Sequence, residues 1–220
     1  VGNVMIDTLI RLLPAAKDSP ILDDLGLQPQ SYAVLTLHRP ANVDDPEVLM
    51  TLLDALLDIS QRIPIVFPAH PRTKKRNSAL HIAPADFDQF LMIEPIGYLD
   101  FLRLQSESRL VLTDSGGIQE ETTYLGIPCL TMRPSTERPT TVEQGTNTLV
   151  GHDVDLLLHR THSILDGGMD WDKRPAGGIP LWDGHAARRI VHVIRTWAMQ
   201  RQVYPIKEAS PTDRYHEVLK

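Results

Sequence analysis

The run Leu112-Thr113-Asp114-Ser115-Gly116-Gly117-Ile118-Gln119-Glu120-Glu121 carries the residue types of a phosphate cradle. An apolar strand turns through small residues into a helix, and the first backbone N–H groups of a helix point outward with partial positive charge. Glycines at that turn let a phosphate oxygen approach the backbone closely. A carboxylate one turn further on, at Glu121, can accept hydrogen bonds from a ribose diol. The same run also reads as a tight strand-to-helix turn with no ligand, so the neighbouring polar residues have to decide between the two readings.

Those residues need elements to hold them. Short apolar runs alternate with longer segments of helical period, the pattern of a parallel sheet with helices on both faces. Six strands are predicted near Ala33 to His38, Ile65 to Ala69, Leu91 to Ile93, Leu110 to Thr113, Cys129 to Met132 and Thr148 to Val150. The strongest helix runs from Pro46 to about Arg62, with Leu49, Leu52, Leu53, Leu56, Leu57 and Ile59 in its stripe and Asp44 with Glu47 as a capping pair. Others cover roughly Leu99 to Glu107, Ile118 to Leu125, Val154 to Leu165 and His185 to Met199, the last with Ile190, Val191, Ile194 and Trp197 as its apolar face. Met5 to Leu13 is helical in period, and Gly167 to Asp183 reads as a loop. The expected fold is α/β, a three-layer doubly wound parallel sheet of about six strands, Rossmann-like.

In such sheets ligands bind beyond the carboxyl ends of the strands. Here those ends are polar: His38-Arg39, His70-Pro71-Arg72, Glu94, Asp114 to Gly117, and Met132-Arg133 followed by Ser135 to Arg138. Arginine grips phosphate through a planar fork, which makes Arg39 and Arg138 candidates. Phe101 could stack on a flat base, or simply pack in the core. The cluster Arg72, Lys74, Lys75 and Arg76 reads as a solvated face.

Composition narrows the classes. With 220 residues and 42% apolar content the chain can bury a real core, and its net charge of −6 argues against a general nucleic-acid or membrane surface. One cysteine, Cys129, cannot form an internal disulfide, which fits a reducing cytoplasm. No run approaches the roughly 18 to 20 apolar residues needed to span a bilayer. Among the nine histidines, His159 and His162 lie three apart without a carboxylate or cysteine at ligand spacing, so no metal or other cofactor is expected. Neither G-x-G-x-x-G after the first strand nor a G-x-S-x-G elbow occurs. The chain opens on Val1-Gly2-Asn3 without a methionine, as a processed chain or a piece of a longer one would.

Four blocks, Thr36 to Asp44, Ala69-His70-Pro71, Leu112 to Glu121 and Thr136-Glu137-Arg138-Pro139, together resemble the non-hydrolysing UDP-N-acetylglucosamine 2-epimerases. The resemblance implies one half of a glycosyltransferase-B-type fold, the C-terminal half. Residues 1–16 would be an interdomain segment, 17–199 the UDP-binding domain and 200–220 a tail. It implies elimination of UDP from UDP-GlcNAc and re-addition after reprotonation at C2, giving UDP-N-acetylmannosamine. It further implies a homodimer when intact and no nucleic-acid or membrane partner. By motif position His38 resembles the active-site histidine. Ser115, Gly116 and Gly117 match the phosphate turn, Glu121 the ribose carboxylate and Phe101 the aromatic near uracil. Arg138 matches a nucleotide-site arginine, while Arg39 and His70 fall in the matching blocks.

Two departures stand out. Arg39-Pro40-Ala41-Asn42 lacks the carboxylate of the common H-R-x-E-N pattern, and Ile96 replaces a polar residue that faces the base in some relatives. The carboxylates that handle the C2 proton in relatives belong to the other domain. A UDP-sugar glycosyltransferase, a hydrolysing epimerase and a non-catalytic UDP-sugar-binding module remain open at this point, separable by their products.

Overall fold

The computed structural model describes residues 1–69, 89–167 and 178–201. Six parallel strands form one sheet: β1 (Ala33–Thr36), β2 (Ile65–Pro68), β3 (Phe90–Ile93), β4 (Leu110–Thr113), β5 (Cys129–Thr131) and β6 (Asn147–Leu149), in the order β3-β2-β1-β4-β5-β6. The chain builds outward from β1 to β3, then returns to the other side of β1 with β4. The reversal opens a crevice between the ends of β1 and β4, where doubly wound sheets bind their ligands.

Side chains alternate across the sheet with period 2, and each set has its own helices. Ala33, Leu35, Ile65, Phe67, Leu110 and Leu112 face one layer, where they pack with α4 (Pro46–Ser60) and α8 (Val154–Leu165). Val34, Val66 and Val111 face the other, against α5 (Tyr98–Ser106) and α6 (Gly116–Leu125). Three short helices complete the described fold: α2 (Ile21–Asp24), α3 (Pro40–Val43) and α7 (Pro139–Glu143). Sequence periodicity misses all three, since four or five residues are too few to show a helical period. The N-terminal α1 (Val4–Ala16) lies over α5 and α6 and buries Ile6, Leu9 and Ala16. Among the described residues no helix is long and apolar enough to cross a membrane.

Several expectations change in detail. The cap of α4 is Asp45, which accepts from the N–H groups of Glu47 (2.9 Å) and Val48 (3.4 Å), while Asp44 ends α3 instead. Strand β1 stops at Thr36 rather than His38, because the N–H groups of His38 and Arg39 turn to the Asp114 carboxylate and leave the ladder. The apolar face expected to bury α9 (Ala186–Gln200) stays in the open: Val191, Ile194 and Trp197 are each more than half exposed. Its first turn is anchored, where the Asp7 carboxylate accepts from Ala186 N (3.0 Å) and Ala187 N (2.7 Å), and Ile190 is half-buried. His70, the basic cluster Arg72 to Arg76, most of the Gly167 to Asp183 loop and nearly all of the tail lie outside the described residues.

Candidate nucleotide site at the strand switch

Two threonines seal the floor of the crevice. Thr36 and Thr113 are paired in register, and their hydroxyls meet at 2.6 Å. Thr113 Oγ1 also accepts from Ser115 N (3.0 Å), which bends the chain from β4 into α6. Ser115 does not use its side chain to cap that helix. A Cβ added at Gly116 would meet nothing within 4 Å, although the residue itself is buried. Gly117 has a different reason for being small: a Cβ there would lie 2.7 Å from Cε of Met5, on α1. Of the two glycines, Gly116 is the one with space at its Cβ position, and Gly117 lets α1 close against α6.

Beside this turn lies a cavity of about 360 Å³ lined by His38, Phe101 and Ser115, with Pro68, Pro95, Ile96 and Ile118 as an apolar wall. The structure therefore brings together three of the expected site residues from the ends of β1 and β4 and the first turn of α5. Ile96 stands beside Phe101 in that wall, so a flat base would be gripped by apolar surface on this side.

His38 is held by a residue whose role the sequence reading missed. Asp114 is fully buried, and its Oδ2 accepts from His38 N (2.9 Å), Arg39 N (2.7 Å) and Asn42 Nδ2 (3.1 Å), while Oδ1 stands 3.0 Å from His38 Nδ1. Burial alone would raise the Asp114 carboxyl, but the His38 ring and these N–H groups outweigh it and hold it below the usual range. The carboxylate in turn raises His38 above the ordinary imidazole value, against the opposing effects of partial burial and of Arg39. An acid placed just before Ser-Gly-Gly at a strand end could have been flagged, since it must bury its charge among unpaired backbone donors. Its partner, 76 residues earlier in the chain, could not.

The other expected residues sit elsewhere. Glu121 is 5% exposed and does not line this cavity; its Oε1 accepts from Tyr98 OH (2.8 Å). Burial raises its carboxyl, partly offset by the Tyr98 hydrogen bond and the nearby Gln105 amide, with Glu120 adding to the rise. Burial and Glu121 likewise push the Tyr98 phenol up, so it remains a donor. Arg138 lines a second cavity of about 430 Å³ with Asn3, Glu120, Glu137 and Trp182, and its Nε lies 2.9 Å from Glu120 Oε1. A buried amide anchors that loop: Gln119 Oε1 accepts from Thr136 Oγ1 (2.6 Å) and Asn147 Nδ2 (3.0 Å), and Thr136 Oγ1 accepts from Arg138 N (2.9 Å). Arg39 contributes its backbone N–H to Asp114, and its side chain lies outside the lining of either cavity.

Comparisons with known proteins agree with this geometry. The family profile described as UDP-N-acetylglucosamine 2-epimerase matches residues 1–195. The UDP-N-acetylglucosamine 2-epimerase of Methanocaldococcus jannaschii is 37% identical over 211 residues, covering 88% of this chain and 53% of that protein. The UDP-2,3-diacetamido-2,3-dideoxy-D-glucuronate 2-epimerase of Pseudomonas aeruginosa is also 37% identical, over 196 residues, covering 88% and 51%. The crystal structure of the M. jannaschii enzyme in complex with UDP-GlcNAc and UDP superposes with a TM-score of 0.77 at 35% identity, covering 89% of this chain and 54% of that one. The chain thus spans about half the length of the relatives it matches. A doubly wound sheet, a small-residue turn at its switch point and a match over most of the chain converge on one assignment: this chain belongs to the UDP-N-acetylglucosamine 2-epimerase family.

Proposed function

We propose that this chain is the nucleotide-binding half of a two-domain, glycosyltransferase-B-type UDP-sugar 2-epimerase of the non-hydrolysing kind. The observation that carries the reading is the cavity at the β1/β4 switch, where an apolar wall with Phe101, a carboxylate-held imidazole and Ser115 at the start of α6 meet. A uracil ring stacks beside Phe101 and Ile96. The diphosphate lies against Gly116 and the first turn of α6, where outward N–H groups stabilise the charge that grows on the departing β-phosphate. Glu121 is the ribose acceptor, with Tyr98 fixing its carboxylate. Arg138 approaches the diphosphate from its own cavity.

The reaction is an elimination followed by an addition. The C2 proton leaves to a base, the C1–O bond breaks with its electron pair on UDP, and a C1=C2 double bond forms. UDP then re-adds at C1 while C2 takes a proton on the opposite face. His38 presents Nε2 as its second ring nitrogen, since Nδ1 is engaged by Asp114. The nitrogen can hold or release a proton as UDP departs and returns. Relatives named for UDP-GlcNAc and for a diacetamido-glucuronate nucleotide share this half about equally, so the sugar preference belongs to residues outside it. A cytoplasmic location and a homodimer for the intact protein rest on the family resemblance.

Calorimetric titration of the purified 220-residue chain with UDP tests the reading, together with an epimerase assay on the same material. Saturable UDP binding without turnover is expected. No binding would remove the nucleotide site, and turnover by this chain alone would remove the dependence on a second domain. Transfer of the sugar to an acceptor by the intact protein, with no epimer formed, would make it a glycosyltransferase instead.

A further inference from the structure

The carboxylate behind His38 is itself held by a chain of polar contacts. Asn42, on α3, is 1% exposed and directs Nδ2 at two acceptors, Asp114 Oδ2 (3.1 Å) and the Met132 carbonyl (3.0 Å). Both amide hydrogens are thereby used, and a flipped amide would set its oxygen against two other oxygens. The orientation leaves Asn42 Oδ1 facing His152 Nε2 at 2.7 Å. An amide oxygen only accepts, so Nε2 of His152 carries the proton. His152 follows Gly151, at the end of β6, and the rest of its ring is exposed.

We propose that His152 is a positioning residue for His38, acting through Asn42 and Asp114. The contacts join the ends of β1, β4, β5 and β6, and each link removes a freedom from the next. With its Nε2–H on Asn42 Oδ1, His152 ties down the far side of an amide whose two hydrogens are already taken, so that the side chain cannot swing away from Asp114. The fixed amide gives Asp114 Oδ2 its third donor, and a carboxylate with three donors on Oδ2 can turn only by losing them. Oδ1 then stays 3.0 Å from His38 Nδ1, a placement that favours the proton of the neutral ring there and a lone pair on Nε2, the reverse of the tautomer that free histidine prefers. The charged groups acting on this chain are Asp114 and Arg39 on His38, and Arg133 on Asp114. The proposal rests on the reading of His38 as the working group of the nucleotide cavity.

His152→Leu removes the donor at an exposed position, and His152→Gln restores an N–H donor without an imidazole. Nitrogen-15 NMR of the imidazoles in the purified chain reads tautomer and titration of His38 directly, with no substrate present. In the unaltered chain His38 is expected as the Nδ1–H form when neutral. In the Leu variant that signature is lost and the titration midpoint falls, while the Gln variant recovers both at unchanged melting temperature. A His38 ring indifferent to His152→Leu would overturn the proposal, and so would a Gln variant that behaves like Leu. A Leu variant that fails to fold would make His152 a structural residue and overturn it equally. UDP titration of the unaltered chain is read separately: its failure removes the nucleotide assignment and leaves the NMR result standing.

Discussion

The two flanks of helix α6 could hardly differ more. On one, the cavity beside Ser115 is walled by Pro68, Pro95, Ile96, Phe101 and Ile118, and its one ring able to carry charge near neutral pH is His38. On the other, the cavity beside Glu120 is lined by Asn3, Glu137, Arg138, Thr140 and Thr141, and its arginine is already paired with a carboxylate. An apolar slot accepts a flat base and makes an adjacent titratable group sensitive to its partner. A charge-paired cleft gives up one ionic contact whenever it gains another. Substitutions on the first flank should therefore cost more than those on the second.

The largest effect is expected from His38→Ala in the intact, two-domain protein. Turnover should fall by about 10²-fold or more, the usual scale for a positioned acid or base, with UDP affinity much less changed. Equal losses in both quantities would reassign His38 to binding. Next comes Asp114→Asn, which keeps the shape but removes the charge that His38 and two backbone N–H groups face. A loss of about 2 kcal/mol in urea unfolding is expected. Its pH dependence follows from the two shifts. Asp114 is lowered from 3.8 in the fold, so its contribution is present above that value and fades as pH falls through the folded value. His38 is raised from 6.5, so its contribution is complete below 6.5 and fades as pH climbs through the raised value. The gap between wild type and variant should thus be widest from about pH 4 to 6.5, and a gap that does not vary with pH would break the pairing.

Phe101→Ala tests the slot itself. Affinity for UDP should fall by about 1 to 3 kcal/mol, the scale of one base on an aromatic ring, and affinity for uridine should fall with it. A drop for UDP alone would move the base elsewhere. Arg138→Ala should have the smallest effect, about 1 kcal/mol or less on UDP, because the guanidinium is partly exposed and already bound to Glu120. It should leave uridine binding unchanged. A loss for Arg138→Ala larger than for Phe101→Ala would invert the contrast between the two flanks.

How much of this was legible in the sequence depends on how local each feature is. Helix α8 begins and ends where periodicity places it, and β4 coincides with its apolar run, because both obey repeats of a few residues. The same periodicity marks the stripe of α9 without saying whether anything covers it, and in this structure Val191, Ile194 and Trp197 face outward. Strand-end polarity grouped His38, Ser115 and Arg138 on one rim. The fold divides them between two cavities, since α6 stands between and has two sides.

By itself the sequence determined the alternation of strand and helix, the glycine turn that opens α6 and the family to which the chain belongs. All three are written in short runs of adjacent residues, where steric preference and apolar spacing act at close range. Tertiary structure alone decided that Asp114 is spent on orienting His38, that Glu121 is buried behind Tyr98, and that His152 reaches Asn42 across 110 residues of chain. A buried polar atom takes whatever donor the folded neighbourhood supplies, and that neighbour has no fixed distance along the sequence.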